Sequence, residues 1–130
     1  MAEKNKNVVI TVKSRKKMVM ARAGDITLPK IVGMAFGDGG TGGDGAVLPP
    51  ADDQVELRNE LYRKEISGHI FPSDTSCRYE CTLEETELAG KSISELGLYD
   101  EAGDIVCIKT FTAKGKDDDM EMTFTVDDIF

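Results

Sequence analysis

From residue 66 onward the side chains alternate with a period of two. Cys77, Tyr79, Cys81 and Leu83 interleave with Arg78, Glu80, Thr82 and Glu84. Met120, Met122, Phe124 and Val126 interleave with Glu121, Thr123, Thr125 and Asp127. Successive side chains of a strand point to opposite faces, so each stretch reads as a half-buried strand. Between them, residues 93–99 and 105–111 flank the sequence DEAGD. Asp100 opens a turn there and Gly103 supplies a positive φ, as a four-residue hairpin loop requires. Ile105 to Ile108 is continuously apolar, as in a strand covered on both faces. A second half of this kind builds a mainly antiparallel sheet.

The first half carries different signals. NVVITV, residues 7–12, is β-branched and reads as a short strand. A helix is expected over about 14–23, capped by Ser14, with Met18 and Ala21 three apart and Gly24 closing it in the left-handed conformation. LPKIVGMAF, residues 28–36, reads as a strand with Pro29 near its start. Residues 37–46, GDGGTGGDGA, hold six glycines and read as a flexible loop ended by Pro49 and Pro50. A second helix is expected over 53–65, capped by Asp52 or Asp53, because Leu57 and Leu61 stand one turn apart and Val55 and Tyr62 two turns apart. AKGKDDD, residues 113–119, reads as a polar turn. The sum is an α+β fold: a mainly antiparallel sheet with two short helices in the N-terminal half, and residues 1–130 as a single domain.

Composition limits the function classes. The chain has 16 Lys plus Arg against 24 Asp plus Glu, a formal net charge of −8. Phosphate neutralisation needs a basic surface, so nucleic acid is not an expected partner. No apolar run approaches the ~20 residues of a membrane-spanning helix, and MAEKNKN carries no long apolar stretch, so neither a membrane nor a signal peptide is expected. Cys77, Cys81 and Cys107 are an odd, sparse set that reads as free thiols in a reducing cytoplasm. The charge is uneven. Residues 1–30 hold eight basic and two acidic side chains, 31–94 hold five and twelve, and 95–130 hold three and ten. A basic head and an acidic tail can meet within one domain or between copies, which leaves a homo-oligomer open.

Several motifs resemble chemistry without its context. Gly37-x-Gly39-x-x-Gly42 matches the dinucleotide fingerprint, yet more glycine and then Pro49–Pro50 follow where a helix must begin. GGTGGD, residues 39–44, matches one copy of a calcium repeat that works only when stacked. Cys77 and Cys81 on one strand face lie about 13 Å apart, too far to share a tetrahedral metal. His69, the one histidine, has Asp74 and Glu65 nearby in sequence but no nucleophile in a set pattern. Asp117–Asp119 reads as a solvated turn. No enzyme activity and no cofactor is therefore expected. One alternative is a small acidic binding module using the glycine/aspartate loop, with Asp38, Asp44, Asp52 and Asp53, for a metal or small ligand.

Three stretches taken in order go further. They are LPKIVGMAFGDGG, then LRNELYRKEIS, then ISELGLYDEAGDIVCIKTF. The order resembles the N-terminal domain of the phage tail-collar fibre family, which pairs an I-A-x-G-D-G strand with an N-E-x-Y-R helix and a hairpin around G-L-(Y/F)-D-x-x-G. The resemblance covers about residues 14–112. It implies a structural component of a phage or prophage tail that joins a fibre or appendage to the baseplate. Its partners would be baseplate or tail proteins, and it would be made in the host cytoplasm and located in the virion tail. Family members usually continue into a shaft and receptor-binding tip, whereas this sequence ends at Phe130. The resemblance therefore implies attachment rather than host recognition, by a short baseplate component or an excised head domain.

The expected contact residues are Lys13, Arg15, Lys16 and Lys17, with Gly37, Asp38 and Gly39 of the loop. The four basic residues crowd five positions at a helix start, where the macrodipole disfavours cations. An acidic neighbour would account for them: this chain's own Asp117–Asp119, another copy, or a baseplate protein.

Overall fold

The computed structural model describes residues 7–130. In chain order the elements are β1 (Val8–Ile10), α1 (Val12–Arg22), β2 (Ile31–Gly37), β3 (Glu60–Glu65), β4 (Gly68–Ser73), β5 (Ser76–Leu83), β6 (Ser92–Asp100), β7 (Ile105–Gly115) and β8 (Met122–Ile129). They form a five-stranded sheet ordered β1-β7-β6-β2-β3 and a three-stranded sheet ordered β4-β5-β8, with every pairing antiparallel. Strands make up 48% of the described residues and helix 9%. The expected α+β fold with two helices is thus corrected to two antiparallel sheets carrying one helix.

The two sheets share one core. Alternate residues of β2, β6 and β7 (Met34, Phe36, Leu96, Leu98 and Cys107) meet Cys81 and Leu83 of β5 and Phe124 and Val126 of β8. Phe36 and Phe124 cross the interface with ring centroids 5.2 Å apart. The apolar residues read from the alternation of β5 and β8 face inward, except Met120, which precedes β8 and is exposed; Cys81 is fully buried while Cys77 is partly exposed. The intervening positions of the five-stranded sheet make a smaller cluster of Val9, Ala35, Ile105 and Ile108, covered by Leu57. The unbroken apolar run of β7 follows from this, because β7 feeds both clusters.

The second expected helix, 53–65, is absent. Residues 60–65 are β3, which pairs with β2 so that Tyr62 stands opposite Phe36 and Lys64 opposite Met34. Two causes override the helical spacing. The edge of β2 carries backbone groups that need a partner. The amides of Arg58 and Asn59, which a helix would direct to carbonyls four residues back, are bonded to the Glu95 carboxylate. The remaining helix, α1, begins two residues before the expected start and is capped by Thr11 rather than Ser14. The Thr11 hydroxyl accepts from the Ser14 amide at 3.2 Å and donates to the Ile105 carbonyl at 2.7 Å, so the cap also docks the helix on β7. Gly24 follows the helix at φ 86°, as its C-terminal signal required. The expected polar turn at 113–119 starts later: β7 runs to Gly115, and Lys116 is buried with its Nζ donating to the carbonyls of Glu85 and Asp117.

The hairpin loop between β6 and β7 has Gly103 at φ 87°. Asp100 Oδ1 accepts from the amides of Ala102 and Asp104, and the Gly103 amide returns to the Asp100 carbonyl at 2.8 Å. Gly103→Val should destabilise by more than about 1 kcal/mol, since a β-branched residue is strained at this φ. A urea midpoint equal to wild type would contradict it.

A second polar anchor joins the sheets at the β3 edge. Lys64 Nζ donates to Glu87 at 2.6 Å and to the Thr82 carbonyl of β5 at 2.8 Å, and the Tyr62 hydroxyl donates to the other Glu87 oxygen. Burial alone would push the Glu87 carboxyl up. The bonds from Lys64, Tyr62 and the Glu84 amide outweigh it and hold the pKa at about 2, against an ordinary 4.5. A depressed carboxylate stabilises the fold above its unfolded pKa, and that contribution disappears as the pH falls from about 4.5 to about 2. Glu87→Gln should cost about 2 kcal/mol at pH 7 and shrink the loss of stability on acidification across that window. An acid limb identical to wild type, by urea titration at each pH, would contradict the assignment.

Candidate attachment surface

The three stretches that carry the family resemblance meet at one side chain. Glu95, on β6, is fully buried. One carboxylate oxygen accepts from the Gly39 and Asn59 amides, each at 2.8 Å, and the other from the Arg58 amide at 2.8 Å. The adjacent Ser94 hydroxyl accepts from the Gly40 amide at 2.9 Å. Asn59 Nδ2 donates to Asp38 Oδ1 at 2.6 Å, and the Asp38 amide donates to the Asn59 carbonyl at 3.2 Å. GDGG, LRNE and ISEL are thus three sides of one polar knot.

This explains the glycines of the first half of the loop. A Cβ on Gly37 would stand 2.4 Å from the Asn59 carbonyl oxygen, one on Gly39 2.6 Å from Arg58 Cβ, and one on Gly40 1.8 Å from the Ser94 carbonyl oxygen. Close backbone approach, not phosphate binding, is what these positions require. The space a pyrophosphate would need beside Gly39 holds the Glu95 carboxylate instead. Further along, the Leu48 amide bonds the Gly40 carbonyl and Thr41 bridges Val47, while Gly43 and Gly45 face open space.

The four basic residues at positions 13–17 divide into two pairs. Lys17 donates to Asp100 and Asp104, both at 2.7 Å, and Lys13 donates to Asp104 at 2.9 Å. Burial works against the Lys17 charge, yet the bonds to Asp100 and Asp104 prevail and raise its pKa. Lys17 and then Lys13 hold the Asp104 carboxyl below the ordinary range. The acidic neighbour is therefore the hairpin turn of the same chain, and not Asp117–Asp119. Arg15 and Lys16 are exposed and, with Arg22, form no ion pair among the described residues. Lys4 and Lys6, part of the basic head, lie outside the described residues.

The remaining candidates are dispersed. His69 packs on Phe71 and Tyr79, with ring centroids 5.5 and 6.0 Å away. Asp44 accepts from the Ala46 amide, and Asp52 and Asp53 are exposed. Among the described residues no group of three or more His, Cys, Asp or Glu side chains is placed to hold a metal ion. The described helix is too short to cross a membrane. Sequence reasoning missed Glu95 and Asp104 as organising residues, and it placed Asp100 in the turn without its bond to Lys17. The available signal was a glutamate inside the apolar strand sequence ISELGL, where a charge needs partners to be buried. Comparison with protein-family models, with curated proteins and with solved structures finds no match to this chain.

Proposed function

We propose that this chain is a structural component of a phage or prophage tail, joining a fibre or appendage to the baseplate by protein–protein contacts. One observation carries the reading: the three motifs that resemble the tail-collar family converge on Glu95 and form a single polar knot. Residues that must fold together are expected to recur together, so their joint appearance in order has a physical cause. Asp38 and Gly37 to Gly40 are committed to that knot, and Lys13 and Lys17 to the hairpin turn. The free contact surface on α1 is the exposed side bearing Arg15, Lys16 and Arg22.

Immunogold labelling of tail particles purified from the encoding strain tests the location. Label at the baseplate end is expected, and particles free of the chain would overturn the reading. Reversing Arg15 and Lys16 to Glu tests the surface. Both side chains are exposed near a helix start, so stability should stay within about 0.5 kcal/mol of wild type. Particle assembly should weaken, more at low salt than at high salt. Normal assembly at low salt would remove this face from the contact.

A further inference from the structure

The inward alternation of β8 does not stop with the core. Phe124 and Val126 fill the space between the sheets, and Asp128 takes the next inward place, opposite Cys77 of β5. There the sheets part around a cavity of about 420 Å³, walled by α1, the segment before β2, and the inner ends of β4, β5 and β8. Its lining is mostly apolar. Tyr79 and His69 form one wall, and Leu28, Phe71 and Phe130 stand at the mouth, 49%, 72% and 69% exposed. Asp128 is 8% exposed, and its Oδ1 has no hydrogen-bond partner among the described residues.

A buried carboxylate oxygen with no partner is destabilising, and an apolar residue would fill the position better if filling were its whole role. The cations that line the same cavity do not serve it. Lys17 Nζ is held by Asp100 and Asp104, and Lys30 forms no ion pair with Asp128. Burial pushes the Asp128 carboxyl above its ordinary range, and an incoming cation would favour its ionised form. The missing partner is therefore a positive charge on an apolar stem, set among the aromatic side chains that line the cavity.

We infer that this cavity is a binding site for a lysine or arginine side chain of a partner protein, with Asp128 receiving the charge and Tyr79, His69 and Phe71 receiving the stem. The volume lies in the range of pre-formed ligand sites. The exposed apolar rim of Leu28, Phe71 and Phe130 is surface that the partner's flanking residues would cover. The site stands on this geometry alone and does not depend on the tail reading.

The test uses the full chain, labelled with ¹⁵N, and phenethylammonium chloride as the probe, with 2-phenylethanol as its neutral counterpart. Saturable amide shifts at His69, Tyr79 and Asp128 are expected with the ammonium compound, at least about tenfold tighter than with the alcohol. Asp128→Asn should remove that preference while retaining the folded spectrum. No binding, or equal binding of the two compounds to wild type, would overturn the inference whether or not the variant folds. An undiminished preference in a folded Asp128→Asn variant would also overturn it. Sedimentation velocity separates the sources of the cation. A monomer across the accessible concentrations is expected, whereas self-association abolished by Asp128→Asn would place a second copy in the cavity and overturn the partner assignment.

Discussion

Replacing Glu95 with alanine is expected to destabilise the protein by about 3–5 kcal/mol, because three backbone amides lose a charged acceptor at once. The amides belong to Gly39, Arg58 and Asn59, on two segments of the chain. Water entering from the loop side would satisfy part of the loss, which keeps the figure below the sum of three fully buried deletions. Glu95→Gln retains one carbonyl acceptor and should fall between wild type and alanine. The measurement is a urea or thermal unfolding series. A Glu95→Ala midpoint within error of wild type would mean that the knot is not a source of stability.

Leu98→Ala should cost about 2–5 kcal/mol, the range of core truncations whose surroundings relax only in part. Leu98 is fully buried on β6, paired across to Met34 of β2 and Cys107 of β7. It sits in the middle of the five-stranded sheet, on the face that meets the second sheet, so no solvent-facing loop can move in to fill the space. Leu98→Ala and Gly103→Val share the β6–β7 hairpin and are expected to couple, whereas Glu87→Gln, at the far edge, should add to either. An unchanged urea midpoint for Leu98→Ala would show that this hairpin is not central to the core.

Legibility in the sequence followed the range of the determining interaction. The β6–β7 hairpin was readable because its turn is made by its own residues, with Asp100 bonding amides two and four positions on. The alternation of β5 and β8 was readable because a shared core imposes the same period on both strands. Helix α1 was readable from its C-terminal end at Gly24, whereas its start was set too late because the cap residue is Thr11, whose second bond reaches Ile105. The helix expected over 53–65 failed because its fate is decided by Glu95, 36 residues beyond Asn59, and by the open edge of β2. Leu57 does face a core, but it is the small cluster on the outer face of the five-stranded sheet, and it covers Gly97 rather than presenting a helical stripe.

The contact residues show the same limit. Composition located a basic cluster at 13–17 and the macrodipole argument called for an acidic neighbour. Only the fold shows that the neighbour is the turn at 100–104, which separates Lys13 and Lys17 from Arg15 and Lys16. Gly37, Asp38 and Gly39 are expected contact residues on a flexible loop. They belong instead to the packing around Glu95, with Asp38 alone of the three exposed. Asp128 continues a pattern that was seen as far as Val126. A carboxylate at the next inward position was the written sign that the core gives way to a site there.

Native-state amide hydrogen exchange on Gly39, Arg58 and Asn59 tests most directly whether Glu95 holds the three segments together. These amides should exchange only as slowly as the β6–β7 ladder in the wild-type chain, and Glu95→Gln should release at least one of them to fast local exchange. Rapid exchange of all three in wild type, with the β6–β7 amides still protected, would contradict the account.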